Sequence, residues 1–395
     1  MPLFSRMKLS NHEEDNMKQK IDLKSCSDYR EENIKTAVYT LLDRYFSSSV
    51  LDIAGKNILL KPNLLSANSP EKAVTTHPEI LRQSALYFIE KNCSVIVADS
   101  PAGPFTAQSL DKVYRICRLS DLEKRIPLRL NRNLKGRKVS YPEGKNLKSF
   151  HLLEVLQEAD FILNLPKLKT HSLTYYTGAV KNLYGLIPGL EKAYYHSKYP
   201  DKREFSRMLV DLCQYLKPNL SLMDAVIGME GPGPSGGTAK KVGLLGLSEN
   251  PYALDFLFSD LVSLPYKQIP VLLEAMDRNL IPKNISELEI SGENIEDFKT
   301  VFQPAIEGSF SGNPISFLLH RFSLTKNLAK KLEDKWSPWP IMNDRCIGCE
   351  RCKDLCPRQI IDMVEGKALP DYEKCIRCYC CHEICPVEAV DLKRR

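Results

Sequence analysis

The sequence predicts an α/β protein with a mainly parallel sheet and flanking helices, followed by a small α+β module rich in cysteine. Three observations support this fold class. Apolar runs of strand length alternate with helical patterns between residues 31 and 303. Polar side chains follow directly after several of these runs, as they do at the carboxyl edge of a parallel sheet. Nine of the thirteen cysteines lie between residues 346 and 385.

The first half of the larger domain is predicted to form a β-α-β unit. Apolar residues recur at helical spacing over 31–46, and strands are predicted over 57–61 and 94–99. Between the two strands a helix is expected to begin after Thr76, which stands three residues before Glu79 in a capping pattern. Parallel strands joined by a helix are the building unit of α/β domains.

The second half repeats this alternation. Helices are predicted where apolar residues recur every three to four positions, and strands where a short apolar run is continuous. The predicted elements in order are helix 151–158, strand 161–165, a polar loop over 166–171, helix 201–216, strand 220–227, a glycine-rich loop over 228–237, strand 242–247 and helix 253–264.

Composition shifts predict four regions. They are a flexible N-terminal segment (1–30), the α/β domain (31–303), a proline-, lysine- and serine-rich connector with a helical stretch over 322–332 (304–340), and the cysteine module (341–395).

Composition also limits the function classes. The chain has 395 residues, 43% of them hydrophobic, and a net charge of +6. No uninterrupted apolar run approaches eighteen residues, so no membrane span is expected. The basic stretch 112–148 carries no nucleic-acid motif, so a solvated surface is expected there and no nucleic-acid partner. Scattered free thiols favour a reducing cytoplasm.

The cysteines of the module form two copies of the run C-x2-C-x2-C-x3-C-P. Three thiols at this spacing can surround three corners of an iron–sulfur cubane, and the proline turns the chain away after the fourth. Paired zinc sites are the alternative, but zinc ribbons use two separated C-x2-C pairs. The first copy contains Cys346, Cys349, Cys352 and Cys356, and the second contains Cys375, Cys378, Cys381 and Cys385.

This run resembles that of the two-cluster bacterial ferredoxins. The resemblance implies two 4Fe-4S clusters, with the fourth cysteine of each run crossing to the other cluster. A hairpin over 360–370 would give them apolar cover. Cys380 departs from the pattern and is interpreted as a spare, partly buried thiol, with ligation or redox chemistry as the alternative. The implied ligand sets are Cys346, Cys349, Cys352 and Cys385 for one cluster, and Cys375, Cys378, Cys381 and Cys356 for the other.

Polar residues at the predicted strand ends are candidates for a ligand site. Lys167, Lys169 and Lys181 with His171 form a cationic cluster suited to a carboxylate or phosphate, and His171 is also a candidate proton donor. The alternative is that these lysines lie along the surface. A metal site is a second alternative, with His77, His171, Asp99, Asp224 and Glu230 as ligands.

The segments Pro166–His171 and Thr177–Asn182 resemble the signature of the domain-of-unknown-function 362 family. Val74–Pro78, Asp99–Pro101 and Met229–Gly233 are also similar to that family, as is a ferredoxin module after the α/β domain. The resemblance implies the architecture and the clusters but names no substrate. Neither a P-loop nor a dinucleotide-binding glycine motif occurs.

The sequence therefore predicts an iron–sulfur electron-transfer protein. Its α/β domain is expected to bind an anionic small molecule or a redox partner protein. The alternative is a reductase that acts on an anionic small molecule at the α/β domain with electrons from the clusters. Its catalytic residues would be His171, Lys167, Lys169 and Lys181. A third hypothesis is that the clusters are structural or sense the redox state in a binding protein. With these three alternatives, the sequence leaves open whether the protein is an enzyme.

Overall fold

The computed structural model describes residues 19–305 and 337–393. A ten-stranded sheet forms the centre of the larger domain, and a two-stranded hairpin lies beside it. The sheet contains β1 (Lys20–Ser25), β2 (Asn57–Pro62), β3 (Ser94–Val97), β4 (Leu128–Leu130), β7 (Phe161–Leu165), β8 (Lys167–His171), β9 (Tyr175–Thr177), β10 (Leu220–Glu230), β11 (Thr238–Ser248) and β12 (Glu289–Gly292). The hairpin consists of β5 (Gly136–Ser140) and β6 (Ser149–Leu153).

The strands lie in the order β12, β1, β11, β10, β7, β2, β3, β4, and β8 pairs with β10 and β9. Every neighbouring pair from β10 to β4 is parallel. Strand β11 is antiparallel to both β10 and β1. The predicted α/β class with a mainly parallel sheet is therefore confirmed.

Helices cover both faces of the sheet, and each face has its own apolar core. Consecutive side chains of a strand point to opposite faces, so Leu59 packs into one core while Ile58 and Leu60 pack into the other. Burial on both faces explains why the central strands are continuous apolar runs. The helices of this domain are α1 (Glu31–Ser48), α2 (Pro78–Ile89), α3 (Ala107–Ile116), α4 (Leu119–Arg125), α5 (Ala179–Asn182), α6 (Glu191–Lys198), α7 (Lys202–Leu216), α8 (Pro251–Leu261) and α9 (Pro270–Asp277).

The cysteine module is a small α+β unit. Strand β13 (Trp339–Met342) pairs with β16 (Val390–Lys393), and β14 (Ile361–Val364) pairs with β15 (Lys367–Pro370) in the predicted hairpin. Two short helices, α10 (Arg351–Leu355) and α11 (Cys380–Ile384), complete it. The module thus begins slightly before residue 341, while most of the predicted connector, 306–336, lies outside the described residues.

The predicted flexible segment 1–30 is wrong where the structure describes it. Residues 20–25 form β1, which pairs with β11 and β12 and buries Ile21 and Leu23 completely. A strand with so few apolar residues has no distinctive sequence pattern, and its partners lie more than two hundred residues away. Residues 1–18 lie outside the described part of the chain.

Three local predictions also need correction. The predicted helix 151–158 begins as β6 and continues as a 3-10 helix over Glu154–Glu158. The predicted loop after β7 is instead β8, because Pro166 ends one ladder and the chain then pairs further along β10. His77, not Thr76, caps α2, since its Nδ1 accepts the backbone N–H of Glu79 at 3.2 Å.

Asp255 positions α5, the short helix that carries Lys181. Its carboxylate accepts the backbone N–H groups of Ala179 at 2.6 Å and Val180 at 3.0 Å. A Cβ on Gly178 would stand 2.0 Å from an oxygen of this carboxylate, so only glycine fits at that position. A residue of α8 therefore determines where α5 begins.

Replacement of Asp255 should destabilise the domain. Asp255→Ala leaves two buried N–H groups without an acceptor, for which we expect a loss of about 2–4 kcal/mol in the free energy of unfolding. Asp255→Asn keeps one acceptor oxygen and should lose less. Denaturant unfolding of both variants measures this, and equal stability of Asp255→Ala and the unchanged protein would contradict the capping role.

Candidate functional site

The two halves of the cysteine module have the same local geometry. Cys346 and Cys375 stand 29 positions apart, and so do the starts of α10 and α11. Glu350 and Tyr379, which precede these helices, both have φ of 60°. This left-handed conformation directs the chain from a tight loop into the helix. The repeated spacing in the sequence is therefore a repeated structure.

Thiols of each run lie close to the last cysteine of the other run, as the predicted ligand sets require. Burial raises the pKa of Cys352 to about 11, and its charged neighbours are Cys346, Cys349 and Cys385. Cys375 has Cys378 and Cys356 as neighbours. Cys381 has Cys378, Cys375 and Cys356 as neighbours, and also Cys352 of the first run. The division into two sets, each with three cysteines of one run and the last cysteine of the other, stays a prediction.

These groups fit 4Fe-4S clusters. Ile361, Ala368 and Val390 give the thiols an apolar cover. Backbone N–H groups donate to Cys346 Sγ at 3.5 Å and to Cys385 Sγ at 3.1 Å, as they do around cluster sulfurs. No three His, Cys, Asp or Glu side chains within 19–305 and 337–393 are arranged around a single metal ion. The thiols that hold a cubane stand farther apart than the ligands of one ion.

The second group of cysteines lies against the α/β domain. Cys378 and Cys380 are buried with Leu355 in a small apolar cluster that includes Ala193 of α6. Ser235, in the loop between β10 and β11, donates a hydrogen bond to the backbone carbonyl of Glu383 at 2.9 Å. The first group faces outward, since Cys349 is exposed.

Lys61 and Asp99 form a buried ion pair between the ends of β2 and β3. Lys61 Nζ lies 3.0 Å from Asp99 Oδ1, and the other carboxylate oxygen accepts the N–H of Leu64 at 2.6 Å. A Cβ on Gly185 would stand 1.9 Å from Asp99 Oδ1. Lys192 donates to Ser100 Oγ at 2.8 Å, and burial lowers its pKa to about 7.

Lys167 is held by a second buried ion pair. Its ammonium lies 3.0 Å from Asp224 Oδ2 and 2.7 Å from the hydroxyl of Tyr29, which itself donates to Asp224. Tyr29 stacks on His77 with ring centroids 3.7 Å apart. Lys167 is therefore a structural cation, and its predicted role in ligand binding is not supported by this geometry.

Lys169 is also satisfied inside the domain. Its ammonium donates to the carbonyl of Val74 at 2.8 Å and to Asn63 Oδ1 at 3.2 Å. Burial and then the charge of Lys181 lower its pKa to about 7. Lys169 is therefore a buried member of the predicted cationic cluster, and its charge changes near neutral pH.

His171 and Lys181 lie where β8 and α5 meet the cysteine module. His171 Nδ1 accepts the N–H groups of Leu173 at 3.0 Å and Thr174 at 3.4 Å, so the ring proton of the neutral form is on Nε2. Nε2 lies 3.2 Å from Oε1 of Glu383, but the two atoms are not aligned as a hydrogen bond. The Lys181 ammonium makes no hydrogen bond or ion pair within the described ranges.

Glu383 is the residue that sequence reasoning missed. It lies on α11 and is buried, and its closest charged neighbours include Lys181 and Lys169. Burial raises the pKa of Glu383, while those two ammonium groups act in the opposite direction. No sequence pattern could have paired it with His171, because the two residues belong to different domains.

The predicted metal ligands are dispersed. Asp99 and Asp224 pair with lysines, His77 caps α2, and Glu230 lies 2.9 Å from Lys240. His171 contacts Glu383 instead. The proposed mononuclear metal site on these residues is therefore not formed.

Two families match this chain. Residues 58–260 match the family described as Domain of unknown function (DUF362), and residues 339–386 match the 4Fe-4S dicluster domain. A thylakoid-associated protein of Synechocystis sp. is 31% identical over 257 residues, which cover 65% of this chain and 78% of that protein. Ferredoxin-2 of Desulfomicrobium norvegicum is 46% identical over 28 residues, 7% of this chain and 48% of the ferredoxin.

A solved structure of similar arrangement is the lactate racemase apoprotein from Thermoanaerobacterium thermosaccharolyticum, with a TM-score of 0.40 and 14% identity. The matched region covers 63% of this chain and 58% of that one, so the chain spans less than two thirds of the racemase. Separately, none of the helices in the described ranges has the length and apolar character needed to cross a bilayer.

The lowered pKa of Lys169 predicts a pH dependence of stability. Its pKa falls from 10.5 to about 7 on folding. Between these values the unfolded chain holds a proton that the folded chain lacks, so this residue makes the free energy of unfolding rise with pH, by at most about 1.4 kcal/mol per unit. Lys169→Met removes the contribution.

Denaturant unfolding at pH 7 to 9 measures this effect. The difference in unfolding free energy between the unchanged protein and Lys169→Met should grow with pH. Lys138→Met, at an exposed position of β5, is the control for loss of one positive charge. Parallel pH profiles for the unchanged protein and Lys169→Met would contradict the lowered pKa.

Proposed function

The chain belongs to the DUF362 family and carries a 4Fe-4S dicluster domain, and from this premise we propose that it is an electron-transfer protein with two 4Fe-4S clusters. The α/β domain holds one cluster and binds an anionic ligand or a redox partner protein. The observation that carries the proposal is the repeated C-x2-C-x2-C-x3-C-P run, in which thiols of each run lie beside the last cysteine of the other. The proposal includes a cytoplasmic location, because all thirteen cysteines are unpaired and thiols stay reduced in that compartment.

The two cysteine groups of the module have different surroundings. When bound, 4Fe-4S clusters supply one-electron oxidation and reduction. Cys349 is exposed, and its neighbour Ile347 is 64% exposed, so a partner protein has access to the first group. Cys378 is buried beside Ala193, which holds the second group against the α/β domain. The module thus presents one group to a partner and the other to the α/β domain.

Metal analysis tests the proposal. Anaerobically prepared protein should contain about eight iron and about eight sulfide per chain, from two cubanes. Cys385→Ala should lose about half of the iron, because Cys385 completes the group that contains Cys346. The remaining spectrum should be that of the group completed by Cys356.

Cys213→Ala is the matched control, since Cys213 is a buried thiol of α7 outside the module. It should keep all the iron. Zinc in place of iron, with no charge-transfer absorbance, would contradict the proposal.

A reductase remains a second candidate because of one observation. His171 Nε2 is buried at the carboxyl edge of the sheet without a hydrogen-bond partner in the described chain, and the charge of Lys181 acts on it. Cys380, beside the second cysteine group, is among the neighbours of Lys181. Ligands of open α/β sheets bind at this edge. An anionic substrate bound there would lie close to an electron donor and to a ring N–H.

Re-oxidation of the reduced protein tests this second candidate. Pyruvate, fumarate and nitrite serve as reducible anions, added after excess dithionite is removed. One of them should restore the visible absorbance, and Lys181→Met should slow this roughly tenfold or more while iron content is unchanged. Lys138→Met should behave like the unchanged protein. Equal rates in Lys181→Met and the unchanged protein would exclude Lys181 from a substrate site.

A further inference from the structure

The recess at the domain junction is built from donors of the α/β domain. His171 is fully buried on β8, and its ring is fixed by the two backbone N–H groups that donate to Nδ1. Its Nε2 is therefore the ring nitrogen left on the side of the cysteine module, 3.2 Å from Glu383 Oε1. Lys181 and Lys169 stand on the same side and act on the charge of whatever fills the recess. We call the buried position beside His171 Nε2, on which the charges of these two lysines act, the His171 recess.

A carboxylate from the other domain fills this recess. Glu383 Oε1 lies 3.2 Å from His171 Nε2, and the Glu383 side chain is only 9% exposed. Both atoms are buried, and neither has an aligned hydrogen bond in the described chain. Burial of a carboxylate is unfavourable by several kcal/mol unless cations or donors surround it. The charges of Lys181 and Lys169 offset part of that cost, although neither lysine forms an ion pair with Glu383 in the described chain.

The module itself does not require a buried carboxylate at this position. Asp354 is the counterpart of Glu383 in the first half, since each stands two residues after the third cysteine of its run and two before the fourth. Asp354 is exposed. The same position is therefore solvated in one half and buried in the other, so the environment of Glu383 comes from the α/β domain.

We propose that the His171 recess is a carboxylate-binding site of the α/β domain, and that Glu383 occupies it as an internal ligand in this structure. The inference rests on the part of the proposed function that gives the α/β domain an anionic ligand, and it narrows that ligand to a carboxylate. A carboxylate is favoured over phosphate because the occupant is a carboxylate, and a ring N–H beside an ammonium matches its two oxygens.

Competition follows from this arrangement. A free carboxylate and Glu383 cannot occupy the recess together. Glu383 is tethered in the same chain and so has a high effective concentration. The unchanged protein should therefore bind a free carboxylate weakly, and removal of the Glu383 side chain should expose the site.

Acetate is the probe that tests the proposal. In the anaerobically prepared full-length protein, Glu383→Ala leaves a space of about the size of acetate. Acetate should raise the thermal unfolding midpoint of Glu383→Ala and slow amide hydrogen exchange in β8 and α11. Chloride at equal ionic strength should not, since it lacks two oxygens. Glu383→Ser, which also leaves space, provides a second variant if Glu383→Ala does not fold.

Three matched variants make the result specific. Asp354→Ala removes the exposed counterpart and should show no acetate effect. Glu383→Gln fills the recess and should also show none. Adding Lys181→Met to Glu383→Ala should weaken acetate binding roughly tenfold or more, because one charged partner is lost.

Two outcomes would overturn the inference. One is that acetate has the same effect on Glu383→Ala, Asp354→Ala and the unchanged protein. The other is that Glu383→Ala and Glu383→Ser both fold with full iron content and neither responds to acetate. Either result would contradict the carboxylate site but not the proposal that the clusters transfer electrons. Absence of iron would contradict electron transfer but would not test acetate binding.

Discussion

Buried lysine–carboxylate pairs at the carboxyl edge of the sheet are the constraint on which the rest of the domain depends. Lys61 pairs with Asp99 and Lys167 pairs with Asp224, and all four side chains are at most 4% exposed. A buried charge whose partner is removed is strongly destabilising, by about 3–5 kcal/mol. Each ion pair therefore fixes the distance between the two neighbouring segments that carry its residues.

The glycines that follow β8 are consequences of these buried carboxylates. Gly178 lies against Asp255 and Gly185 lies against Asp99, in each case closer than a Cβ would allow. The segment Thr177–Gly185 can therefore pack onto the sheet edge only with glycine at both positions. Much of the polar and glycine pattern that identifies the family therefore stabilises the fold. Of the predicted cationic cluster, His171 and Lys181 are the two residues that are not held by partners inside the α/β domain in the way that Lys167 and Lys169 are.

The cysteine module shows how one local pattern acquires two environments. Its halves repeat with the same helices and the same left-handed residues. The second half lies against the α/β domain with Cys378 and Glu383 buried, while Cys349 and Asp354 of the first half are exposed. The asymmetry comes from the contact between domains and not from the repeat. In the proposed function, the exposed face is the one available to a partner protein.

The sequence by itself determined the fold class, the central strands and the 4Fe-4S dicluster domain. Continuous apolar runs such as Phe161–Leu165 and the repeated C-x2-C-x2-C-x3-C-P spacing are local patterns whose structural meaning does not depend on distant residues. Strand β1 and strand β8 were missed, because each is defined by pairing with segments far away in the chain.

Only the tertiary structure decided which polar residues remain available for function. The sequence grouped Lys167, Lys169, Lys181 and His171 by proximity along the chain, but Asp224 and Tyr29 neutralise the first of these, and Glu383 from the other domain contacts the last. The charge and accessibility of a side chain depend on desolvation and on its partners. Atoms from distant parts of the chain set both, so the pattern of residues alone cannot specify them.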